Sequence, residues 1–125
     1  ISPDDNLIVY ANQNDPIVKI KLLDLNTNEE KILFTATDER IIEIGSFGWS
    51  PDMSKLLFST SNDEGKDSIY LLDLTTLEVE PIIIDFSKLF IFDSWSENGQ
   101  VYYRDSYQFG DIWELDLEQK IFIPD

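Results

Sequence analysis

Apolar residues in this chain gather into short, nearly continuous runs divided by polar turns. The runs are Leu7-Ile8-Val9-Tyr10, Ile17 to Leu25, Lys31 to Phe34, Arg40 to Trp49, Lys55 to Thr60, Ser68 to Leu74 and Val79 to Ile84. They continue with Leu89-Phe90-Ile91-Phe92, Val101-Tyr102-Tyr103, Ile112 to Leu117 and Lys120 to Ile123. Unbroken apolar runs of this length, rather than strict alternation, describe strands buried on both faces. A helix would need apolar residues at three- and four-residue spacing over ten or more positions, and Pro, Gly and Asn interrupt too often for that. The pattern predicts an all-β chain, with room for one helical turn around Phe86 to Phe90. Pro81 has no N–H to give to a ladder, so Val79 to Ile84 reads as an outer strand.

The runs repeat. A polar turn opens each copy at Ser2-Pro3-Asp4, Ser50-Pro51-Asp52 and Ser96-Glu97-Asn98, and an Asp-Leu pair closes the third strand at Asp24-Leu25, Asp73-Leu74 and Asp116-Leu117. A period in the forties carried by four short strands is the signature of β-propeller blades. The expected architecture is therefore about three blades of four antiparallel strands, forming a partial propeller or a segment of a larger one. Blade 1 covers about 1–36 with its inner strand truncated, blade 2 about 39–84 and blade 3 about 87–125. In blade 1 only Ile1 stands where Trp49 and Trp95 stand in the other copies.

The string Trp49-Ser50-Pro51-Asp52, then Leu56-Leu57-Phe58-Ser59, Asn62-Asp63-Glu64-Gly65 and Ile69-Tyr70-Leu71-Leu72-Asp73-Leu74, resembles the repeat of TolB-like β-propellers. That repeat reads Trp-Ser-Pro-Asp-Gly, a strand, an Asp-Gly hairpin and Ile-Tyr-x-x-Asp-Leu. Met53 stands where the turn glycine is usual, Asp5 takes that place in the first copy, and the third has Glu97-Asn98 for Pro-Asp. The resemblance implies a scaffold, such as a periplasmic part of a cell-envelope assembly or a propeller attached to a serine peptidase. It carries no catalytic residue to this chain. It favours a place outside the cytoplasm, periplasmic or at the cell surface, which nothing in the composition fixes.

Charge narrows the partners. Nine basic and 25 acidic residues leave a net charge of −16. Phosphate binding needs clustered Lys and Arg, so a nucleic-acid partner is not expected. Neither is membrane insertion, since no stretch reaches a membrane-spanning length. The chain has no Cys and no His, which removes thiol and Ser-His-Asp nucleophiles and leaves only oxygen ligands for a metal. No catalytic residue, bound cofactor or metal site is expected. Glycoside cleavage by carboxylates alone would need a pair roughly 5–10 Å apart across a formed site, and an incomplete ring has no formed centre.

Three features invite a role. Trp49 and Trp95 occupy matching repeat positions and read as core. Trp113, with Tyr102, Tyr103 and Tyr107, has two readings: an ordinary contact between blades, or a contact patch for a partner, because Trp and Tyr are favoured interface anchors. Oxygens at Asp63, Glu64 and Asp67 sketch a weak calcium loop, although the spacing is not that of an EF-hand and a solvated hairpin explains them.

Propellers typically close with about four to eight blades, and uncovered apolar blade faces are poorly tolerated in water. Further blades are therefore expected, from the same parent chain or from another copy; two chains would make a six-bladed ring. The half-finished first blade favours the parent-chain alternative. The function expected is a non-catalytic scaffold binding protein or peptide partners. The alternative is the propeller portion of a larger hydrolase, a peptidase, gating access to a catalytic domain absent from this chain. A carbohydrate-active propeller is the third reading.

Overall fold

A computed structural model describes residues 1–12, 17–37, 40–87, 90–105 and 111–124. Every regular element among them is a strand: β1 Leu7–Asn12, β2 Lys19–Asp24, β3 Glu30–Thr35, β4 Ile41–Trp49, β5 Lys55–Asn62, β6 Asp67–Asp73, β7 Val79–Phe86, β8 Phe90–Trp95, β9 Val101–Asp105, β10 Ile112–Asp116 and β11 Ile121–Pro124. Phe86 ends β7 and Phe90 opens β8; residues 88–89, at the centre of the stretch with room for a helical turn, lie outside the described residues. The strands form three antiparallel sheets in chain order, β1-β2-β3, β4-β5-β6-β7 and β8-β9-β10-β11. These are propeller blades, and the chain is a partial propeller. The first sheet has three strands, so the edge of β1 that corresponds to the β4-paired edge of β5 carries no strand among the described residues.

Two turns, repeated in each blade, explain the markers in the sequence. At the first, the serine N–H donates to a carbonyl at or just before the start of the next strand: Ser2 to Leu7 at 2.8 Å, Ser50 to Lys55 at 2.9 Å, Ser96 to Gln100 at 2.8 Å. Its hydroxyl oxygen accepts in return from Leu7 N, Lys55 N and Gln100 N at 3.0, 2.9 and 3.1 Å. Three residues beyond the serine, Asp5, Met53 and Gly99 adopt φ of 61°, 63° and 86°. That left-handed geometry is why glycine is usual there and why Asp5 and Met53 are strained.

The Asp-Leu marker is a second cap. Each aspartate accepts two backbone N–H groups just beyond it: Asp24 from Asn26 and Thr27, Asp73 from Thr75 and Thr76, Asp116 from Glu118 and Gln119. Such side-chain turns substitute for backbone pairing where the strand ends. The following leucine ties the two turns together in blades 1 and 2, with Leu25 N donating to Asn6 O and Leu74 N to Ser54 O.

Blades stack face to face. Val9, Ile20 and Leu22 of blade 1 join Leu56, Phe58, Tyr70 and Leu72 of blade 2 in one core. Leu57, Ile69 and Leu71, on the opposite face of blade 2, join Val101, Tyr103, Trp113 and Leu115 of blade 3 in another. Leu56, Leu57 and Phe58 are consecutive and all fully buried, as a strand covered on both faces requires. Each contributes about 1.5–3 kcal/mol by leaving water. We call the face toward the next blade trailing and the face toward the previous blade leading.

Candidate functional site

Two clefts open where the inner strands and first turns of neighbouring blades meet, and Trp95 lines both. The larger, about 420 Å³, lies between the turn of blade 2 (Ser50, Asp52, Lys55) and that of blade 3 (Ser96, Glu97, Gly99). The second, about 310 Å³, is apolar: Phe47 and Trp49 from β4 and Phe92 and Trp95 from β8 face Ile1, Pro3 and Val9 of blade 1. It lies beside β1, the strand without an inner neighbour. Trp49 and Trp95 pack against the two cores, yet each remains half-buried with a surface on a cleft. The Nε1–H of Trp49 is buried and meets no acceptor among the described residues.

The rim of the larger cleft is held rigidly. Asp52 Oδ1 accepts from Ser50 Oγ at 2.8 Å, Ser54 N at 3.0 Å and Ser54 Oγ at 2.7 Å. These bonds, the Ser54 hydroxyl foremost, pull its carboxyl down to about 2. A carboxylate that holds protons so weakly is a poor general base at neutral pH, so the Ser50–Asp52 contact is a turn device, not an activated nucleophile. Lys55 adds a positive charge, with Nζ 3.4 Å from Asp73. The polar turns thus flank a half-buried indole, and the described residues of the clefts contain no nucleophile and base arranged for a reaction.

Of the aromatic residues singled out on blade 3, Tyr103 and Trp113 share one face of the sheet and Tyr102 lies on the other. In the β9–β10 register Trp113 lies opposite Tyr103, and Glu114 opposite Tyr102. Neighbouring residues on a strand point to opposite faces, so Tyr102 is separated from the other two by the sheet. Tyr103 is 1% exposed and stands edge-on to Phe92 and Phe122, a core residue. Burial pushes its phenol above the ordinary range. Trp113 is half-buried on the leading face, edge-on to Phe90 at 5.5 Å. Tyr107 lies outside the described residues.

The hairpin after β5 is closed by its own side chain. Asn62 Oδ1 accepts from Glu64 N at 2.9 Å and Lys66 N at 3.0 Å, and Gly65 takes φ 75°. Asp63 and Glu64 point to solvent, whereas Asp67 is buried at the start of β6 and accepts from Ser61 Oγ at 2.8 Å. Burial raises the Asp67 carboxyl, the Ser61 bond opposes that, and Glu43 adds to it. Among the described residues no group of three or more carboxylates stands close enough to hold a metal ion.

Sequence reasoning missed the clefts and the capping work of Asp24, Asp73 and Asp116. The recurrence of Asp before Leu was the available signal for the caps; the clefts leave none, because they arise between blades.

No family model matches the sequence, and no curated protein does. Solved structures do. TolB from Acinetobacter baumannii is similar with a TM-score of 0.75 at 22% identity, over 98% of this chain and 30% of that one. A chain of the nidogen/laminin complex gives 0.70 at 11% identity, over 99% and 45%. The β-propeller domain of the trilobed protease from Pyrococcus furiosus, which has an open velcro topology, gives 0.62 at 22% identity, over 93% and 38%. The chain thus has a TolB-like β-propeller fold and spans less than half the length of each of these chains.

Proposed function

We propose that this chain is a non-catalytic propeller scaffold that binds a protein or peptide partner through the paired clefts at Trp95. The observation that carries the reading is the half-buried Trp49–Trp95 wall, flanked by turns whose hydrogen bonds are satisfied internally. A surface held in one shape before binding loses little entropy on binding, and an aromatic anchor inside a polar rim is the usual centre of an interface. The partner's contacting segment is expected to be apolar or aromatic with a basic flank, matching Asp52 and Glu97 beside the indole. The net charge of −16 disfavours nucleic acid, and no helix among the described residues is long and apolar enough to cross a membrane. Likeness to a chain of a nidogen/laminin complex supports a protein partner, and the TolB-like fold supports a place outside the cytoplasm.

Titrating the chain with a library of basic-aromatic peptides, with tryptophan fluorescence as the readout, tests this. Binding that weakens at least tenfold in Trp95→Ala, with the fold intact by circular dichroism, is expected. Binding unaffected by that change, or absent across the library, rejects the site.

A second reading has its own support. The trilobed protease carries a propeller of this kind, so the chain would be the propeller portion of a larger peptidase, gating access to a catalytic domain. A parent polypeptide that contains a peptidase domain would select it.

A further inference from the structure

Asp67 is the only carboxylate that the fold buries among the described residues. Its side chain lines a small chamber between blades 2 and 3, together with Ser59, Ile83 and the rings of Phe86, Phe90 and Phe122. Ser59 lies two residues from Leu57 and Asp67 two from Ile69, so all four point from the trailing face of blade 2 into its joint with blade 3. Among the described residues the carboxylate's bonding partner is Ser61 Oγ, at 2.8 Å. No Lys or Arg among them pairs with it, and Glu43 is near enough to add repulsion. A carboxylate withdrawn from water without a counter-charge costs the fold free energy.

The rest of the chamber indicates what would compensate it. Phe122 stands 4.1 Å from Phe90 and 5.4 Å from Phe86, centre to centre, and the faces of such rings attract a cation and disfavour an anion. Ser59 Oγ, which accepts from Ser46 N at 2.8 Å, adds a second oxygen. The space amounts to about 10 Å³, room for one water-sized group. A primary ammonium head has that size and a trimethylammonium head does not. Calcium or magnesium would want about six or more oxygens, whereas carbon makes most of this wall.

Outside the chamber a groove of about 410 Å³ runs between β7 and β11, lined by Ile82, Ile84, Ile121 and Lys120. The Lys120 ammonium is engaged by Glu80 at 3.2 Å, which offsets its charge. Ile83, Phe86 and Phe122 line groove and chamber alike, so these side chains are what stands between the two.

We propose that the chamber binds a primary ammonium group carried on an alkyl chain, its head at Asp67 and Ser59 and its chain passing beside Phe86 into the groove. A free alkylamine and a lysine side chain share this chemistry. The site is separate from the Trp95 clefts and does not depend on them.

The test is a titration of the 125-residue chain with n-butylammonium chloride at constant ionic strength, followed by backbone amide shifts in two-dimensional NMR. Saturable shifts centred on Ser59, Asp67, Ile83 and Phe122 are expected, with a Kd of roughly 1 mM. Butanol has the same chain without the charge, and tetramethylammonium has the charge without the fit. Each should bind more weakly by about tenfold or more. Asp67→Asn keeps the shape and an acceptor for Ser61, and should weaken butylammonium binding by about tenfold or more. Nα-acetyl-lysine N-methylamide in the same titration separates the sources. Tighter binding than butylammonium assigns the chamber to a lysine side chain, and weaker binding assigns it to a free amine. No saturable shift at these residues with either amine overturns the proposal. So does equal binding of butanol or tetramethylammonium, or butylammonium binding that survives Asp67→Asn. The butanol and tetramethylammonium comparisons use the wild-type chain alone, so they decide even where the variant fails to fold.

Discussion

Phe92 of blade 3 lies in the space that a side chain on Gly48 of blade 2 would fill: a Cβ built on Gly48 falls 2.2 Å from the Phe92 ring. Gly48 sits in β4 beside Trp49, and Phe92 in β8, so two inner strands approach more closely than any residue with a Cβ allows. Near the same joint the Phe92 N–H donates to Ser46 Oγ at 3.4 Å. Gly48→Ala is expected to cost about 1–3 kcal/mol through overpacking, read as a lower urea midpoint. Adding Phe92→Leu should return part of the loss. A Gly48→Ala protein as stable as wild type would show that the blades do not meet as described.

The first turn offers a test of opposite sign. Met53 holds φ 63° and Gly99 holds φ 86° at the same place in their blades, and nothing lies within 4 Å of the Cβ position at Gly99. Met53→Gly should therefore raise stability by about 0.5–1 kcal/mol, relieving the left-handed strain against a small entropic cost. Gly99→Ala should lower it by about 1 kcal/mol without any clash. Chemical denaturation of both variants decides.

Acid sensitivity follows from Asp52. Its carboxyl falls from the ordinary 3.8 to about 2 because the Ser54 hydroxyl and N–H and the Ser50 hydroxyl bond its charged form. A depressed folded value stabilises fully above the unfolded value, and the contribution disappears as pH falls through the folded one. Denaturation midpoints of wild type and Asp52→Asn should therefore differ most above about pH 4 and converge toward about pH 2. Asp4 and Asp73 are lowered by similar bonds, so the variant should keep part of the acid transition. A constant gap across that range would remove Asp52 from the account.

Tyr102 and Tyr103 are neighbours with different work. Tyr103→Ala should cost about 3–5 kcal/mol, the range for deleting a buried ring, since Tyr103 is wholly enclosed between blades 2 and 3. Tyr102→Ala should cost far less to the folded chain, because its half-buried side chain lies on the opposite face of the sheet. Thermal melts separate the two. Equal destabilisation by both would mean that the register of β9 and β10 is not the one described.

Strand content and blade identity were legible in the sequence because both are local. Short apolar runs, turn serines at a fixed period and Asp-Leu pairs depend on hydrogen bonds between residues a few positions apart. Even the strained turn at Met53 was foreshadowed by its departure from glycine. Which of the aromatic residues near Trp113 share a face was not legible from adjacency: alternation across the sheet sends Tyr102 one way and Tyr103 with Trp113 the other. Trp49 and Trp95 read as core from their matched positions, but the degree of their burial depends on how neighbouring blades splay.

By itself, then, the sequence determined the strands, their turns and the need for neighbours, since each is set by periodicity and short-range bonding. Tertiary structure alone decided which side of each sheet met which, and so where the Trp95 clefts open. Faces and gaps between blades are products of stacking, and stacking brings residues roughly forty to fifty positions apart into one core, such as Leu22 and Tyr70, or Leu71 and Trp113.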